Sequence, residues 1–153
     1  MMGRFLHYFV RLLRVATGFI LAIAVGAAIV LLLDLNRGRV PEPLAGGVMV
    51  GFLTFQAARF MWPLLMVEFV AEAMRWRSLT FHLGVGLLGA VATLVFAWAQ
   101  ASSEPPDPIL GAEQAITVTK VIVALAAGLA GGFVYWLVAG RSAGLTQIER
   151  TSP

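Results

Sequence analysis

Four apolar runs, each long enough to cross a bilayer, fill most of this chain, and only the second carries charge inside it. A spanning helix needs about 20 predominantly apolar residues, because it rises about 1.5 Å per residue through a hydrocarbon core about 30 Å thick. The expected fold class is all-α, an integral membrane four-helix bundle. A single membrane domain covers residues 1–153, with helices at about 15–33, 46–74, 79–99 and 120–139. A basic interfacial segment occupies 1–14, and an acidic, Pro-rich external loop occupies 101–117.

Composition agrees with that class. Charged residues make up 12% of the chain, about half the share in a soluble domain. Four helices of this length leave no room for a separate soluble domain. The chain has no cysteine, which excludes disulfides, thiolate metal sites and cysteine nucleophiles. With only two histidines, a protein-only metal centre is not expected. Haem ligation needs two axial ligands, and His7 and His82, the only histidines, both fall on one side, so a bound haem is not expected. No cofactor is expected. The basic residues flank apolar runs instead of forming a hydrophilic patch, which argues against nucleic-acid binding. The preference for Arg over Lys, with abundant Ala, Gly, Val and Leu, fits a GC-rich bacterial coding sequence.

The first run, Val15 to Leu33, is too long for a secretory signal core and lacks a small-residue cleavage site at its exit, so it reads as an uncleaved helix. The second, about Leu44 to Met74, contains Gln56, Arg59, Pro63, Glu68 and Glu72. It exceeds the hydrocarbon thickness, so it must tilt, kink or protrude, with Pro63 as the kink site. Lys and Arg counting sets the orientation. Arg4, Arg11, Arg14, Arg75, Arg77, Arg141 and Arg150 fall on one side; Arg37, Arg39 and Lys120 fall on the other, among five acidic residues. Both termini are therefore expected in the cytoplasm. Trp76, Tyr135 and Trp136 are expected to form an aromatic belt at that interface, while Trp62 lies within the span.

Arg4, His7, Arg11 and Arg14 recur at steps of three, four and three, so a helix gathers them into one wedge. That stripe reads either as anchoring continuous with the first helix or as a basic edge for anionic lipid or an acidic partner. Arg59 sits near the middle of the second run, where a charge costs about 2.5–3.5 kcal/mol on insertion scales. It is expected to serve an ion path, a substrate or a partner subunit, to snorkel, or to pair with a carboxylate such as Asp34 or Glu113. Glu68 and Glu72 share a face, and Glu68 lies nine residues from Arg59, about half a turn around the helix. Polar groups on opposite faces argue that the second helix is central, or that one face meets another subunit. His82 lies across a tight turn from Glu72, and Ser78 can cap the third helix. A contact of His82 with Glu68 or Glu72 would lock the hairpin or relay protons.

Small residues recur at every fourth position on all four helices: Gly18-Ala22-Gly26, Gly47-Gly51, Gly86-Ala90 and Ala124-Gly128-Gly132. Such spacing lets helix backbones approach closely, within one chain or between chains. No phosphate-binding loop, zinc-protease motif or serine-hydrolase elbow is present.

Two stretches carry a resemblance. One is Glu72-Ala-Met-Arg75-Trp-Arg77-Ser78-Leu79-Thr-Phe81-His82, followed by Gly84 and Gly86. The other is Ala130-Gly131-Gly132-Phe133-Val134-Tyr135-Trp136-Leu137-Val138-Ala139-Gly140-Arg141-Ser142-Ala143-Gly144. Together they resemble small, uncharacterised four-helix inner-membrane proteins of alphaproteobacteria, which implies the bacterial inner membrane and brings no activity.

The expectation is a non-enzymatic accessory or assembly subunit of a larger inner-membrane complex, in contact with lipid and with a membrane-protein partner or another copy of itself. The alternative is a small homo-oligomeric transporter or channel using Arg59 and Glu68. Four-helix multidrug exporters have this size, but their embedded Glu lies on the first helix, which here is uncharged between Val15 and Leu33. A membrane enzyme or electron carrier lacks a ligand set.

Overall fold

A computed structural model describes residues 2–35, 43–103 and 117–142, with the side chains of 9–33, 43–99 and 117–142. It is an all-α four-helix bundle: α1 (Met2–Leu35), α2 (Pro43–Ala73), α3 (Leu79–Ser103) and α4 (Val118–Val138), followed by a 3-10 turn, Gly140–Ser142. All four helices are long and apolar enough to cross a membrane, so the protein is a multi-pass membrane protein. The segment 1–14 is continuous with the first span. From Met2 it forms the first turns of one 34-residue helix. The side chains of Arg4, His7 and Asp34, the external loop beyond Ser103 and the tail beyond Ser142 lie outside the described residues.

α4, not α2, is the central helix. It packs on α1 along one side and on α3 along the other, while α2 packs mainly on α1. Small residues explain this. Ala127 and Gly131 meet Gly26 and Ala22 of α1, and the same side of α4 continues through Tyr135 and Ala139, which meet Gly18. One residue further around the helix, Gly128 and Gly132 meet Gly86 and His82 of α3 backbone to backbone. A Cβ at Gly86 would collide with the Gly128 carbonyl, so this close approach requires glycine on both sides. A Cβ at Gly47 or Gly51 would meet nothing within 4 Å, so the small-residue stripe of α2 is not used among the described residues.

The core forms where α1, α2 and α4 converge. Val15, Phe19, Ile23, Tyr135 and Ala139 are buried, and Met61, Leu65 and Phe69 pack against them. The amino end of α1, the α2–α3 turn and the end of α4 share one end of the bundle, joined by Arg11 to Glu72 and by Arg14 to Ser142 (3.1 Å). Tyr135 is no belt residue; it is only 3% exposed, because its face of α4 is turned toward α1. Trp136 does lie at this end, where its indole N–H donates to the Arg77 carbonyl at 2.9 Å.

Candidate functional site

The site begins with a sharp helix ending. Arg75 adopts a left-handed conformation (φ 60°). The Trp76 N–H reaches the Ala71 carbonyl at 2.9 Å, and the Arg75 N–H reaches that of Glu72 at 3.2 Å. This is the Schellman pattern, with arginine where glycine is usual. Trp76 then packs edge-on against Phe81, with centroids 4.8 Å apart. Ser78 precedes α3, and its carbonyl accepts the His82 N–H at 3.4 Å. Its hydroxyl lies 2.6 Å from that of Thr80, so its side chain turns to a neighbouring hydroxyl and not to a backbone amide.

That turn folds the end of α2 against the start of α3 and sets Glu68 on His82. Nδ1 of His82 lies 2.9 Å from one Glu68 carboxylate oxygen and 3.2 Å from the other. The residues are 3% and 2% exposed, which makes them the buried polar pair of the described fold. Tyr135 of α4 joins them: its ring centroid is 5.2 Å from the imidazole, and its phenol comes close to the Glu68 carboxylate. Gly132 lies against the His82 backbone, and Gly140 against its ring, leaving no room for a side chain at either position. Two buried atoms lack a hydrogen-bond partner: Oε2 of Glu68, which nonetheless lies in ion-pair range of Nδ1, and Nε2 of His82.

Glu72 takes a different partner. Its carboxylate receives the Arg11 Nε–H, and its carbonyl receives a second guanidinium N–H at 3.2 Å. One member of the N-terminal basic stripe is therefore committed to the bundle, and two carboxylates one turn apart do separate jobs. Arg59 stands apart from both. It is exposed on the outer surface of α2 and has no ion pair or hydrogen bond among the described residues. Glu113, one carboxylate considered for it, and the Asp34 side chain lie outside those residues. Gln56 is half-buried one turn earlier.

Between the helices lies a partly open cavity of about 280 Å³, lined by all four. Its walls are mostly Gly, Ala and aliphatic side chains, and its one strongly polar end is Glu68, His82 and Tyr135. A carboxylate against an imidazole can hold a proton or orient a hydrogen-bonding head group. Among the described residues, no group of three or more His, Cys, Asp or Glu could hold a metal ion.

Sequence reasoning reached Glu68 and His82 through hairpin geometry. It missed Tyr135, Gly132 and Gly140, and it missed the Arg11–Glu72 pair. Four residues separate Tyr135 from Gly131, one turn along the α1-facing side of α4; that spacing was the available signal. No protein-family model, curated protein or solved structure matches the chain.

Proposed function

We propose that this protein is a non-enzymatic accessory or assembly subunit of a bacterial inner membrane complex, docking on another membrane protein through the outer face of α2. The observation that carries this reading is Arg59. It lies fourteen residues from the end of α2, about 21 Å along the helix, and faces outward without a partner among the described residues. Pro63 has no N–H, so the Arg59 carbonyl also lacks its usual helical donor. Lipid can satisfy neither group.

The same face carries Phe52, Phe55, Trp62, Met66 and Val70, all exposed and at helical spacing around Arg59. An aromatic stripe with one central cation suits a transmembrane helix that supplies a carboxylate. The excess of Arg at the end where α1 begins and α4 finishes supports a cytoplasmic location for both termini. A transporter route through Arg59 and Glu68 has less support, because one side chain faces outward and the other is buried.

Native extraction in a mild detergent tests the reading. A stoichiometric heterologous membrane protein should co-purify and be lost with Arg59→Leu. Recovery only as a monomer or homo-oligomer, or an unchanged complex with Arg59→Leu, would overturn it.

A further inference from the structure

The interior of the bundle carries a second, independent feature. We infer that the cavity is a binding site for one single-chain lipid alcohol, with the tail between the helices and the hydroxyl on Glu68. The shape argues for a chain. On α1 the lining runs from Phe19 to Val30 and on α4 from Ala124 to Tyr135, each about 16 Å of helix. A cavity of about 150 Å³ accommodates benzene, so 280 Å³ takes about a dozen apolar heavy atoms. A dozen atoms along 16 Å form a line, not a ring system or a pair of acyl chains.

The polar end argues for the head group. Glu68 is 3% exposed and lines the cavity, and its Oε2, although 2.9 Å from Nδ1 of His82, accepts no hydrogen bond from the described residues. The head must therefore donate, which excludes an ester carbonyl or a hydrocarbon end. A hydroxyl supplies that donor. A second carboxylate would meet Glu68 as a like charge. The small residues that let α4 approach α1 and α3 so closely also line the channel, so its bore follows from the packing.

The test uses the full chain in phospholipid nanodiscs. Dodecanol bearing a diazirine at its tail is photolysed there, and the adducts are mapped by mass spectrometry. Adducts are expected deep in the cavity, on enclosed lining residues such as Gly26, Ala90 and Ala127. Excess dodecanol should lower labelling about ten-fold, and dodecane should not, as expected if the hydroxyl contributes about 1.4 kcal/mol. Ala57→Phe, which narrows the channel on the loosely packed helix, should abolish the protection. Should that variant fail to fold, the adduct map of the parent still decides. Adducts confined to lipid-facing Leu32, Phe52 and Trp98, or equal competition by dodecane or dodecanoate, would overturn the inference.

Discussion

The Glu68–His82 pair can be tested with a double-mutant cycle. His82→Leu leaves a carboxylate without its partner at a site 3% exposed. In soluble proteins, stranding one member of a buried pair costs about 3–5 kcal/mol. In membranes the unfolded reference still finds partners, and polar contacts there are worth about 1–2 kcal/mol, so the expected loss is about 2–3 kcal/mol. Glu68→Leu strands Nδ1 of a ring whose Nε2 is already unpartnered, for about 1–3 kcal/mol. The double variant strands neither charge nor donor and should fall within about 1 kcal/mol of the parent. If the sites were independent, the losses would instead add to about 3–6 kcal/mol. The second substitution should therefore rescue the first by at least about 1 kcal/mol, a coupling of at least about 2 kcal/mol. Equilibrium unfolding in mixed micelles, followed by helical circular dichroism, measures all four proteins. An additive double variant would refute the pairing as an energetic unit.

Other perturbations probe separate parts of the fold. Arg75→Gly should stabilise the protein by about 1 kcal/mol in the same assay, because a left-handed residue carries that strain unless it is glycine. Gly86→Leu should separate α3 from α4 and cost more than about 3 kcal/mol, whereas Gly51→Ala, facing open space, should be no worse than neutral. Arg11→Met should remove the Glu72 ion pair for about 1 kcal/mol, with Glu72→Leu adding little on top of it. A cytoplasm-active reporter fused after Pro153 should be active; an inactive fusion would reverse the orientation.

Hydrophobic length made the four helices legible, because the bilayer imposes that length on any spanning helix. Opposite placement of Arg59 and Glu68 was legible too, since nine residues turn a helix by about two and a half turns. Their separation into an exposed cation and a buried acid needed the neighbours of α2. The tight Arg75-Trp76-Arg77-Ser78 connection brought His82 within reach, but either Glu68 or Glu72 could have met it. Arg11 decided between them by taking Glu72, from sixty-one residues away.

The second run thus owed its spanning length to sequence alone, while its place in the bundle did not follow from its charges. Charge inside an apolar run requires a partner, and that partner can belong to the same chain or to another. Backbone proximity decided the matter: α4 carries small residues on two adjacent faces, so two helices can approach it closely. α2 carries Gly47 and Gly51 where a side chain would meet none of the described residues, and it is left at the periphery. Periodicity gives the faces of each helix separately; which faces meet, and that Glu68, His82 and Tyr135 close one end of a cavity, depends on packing between residues far apart in the chain.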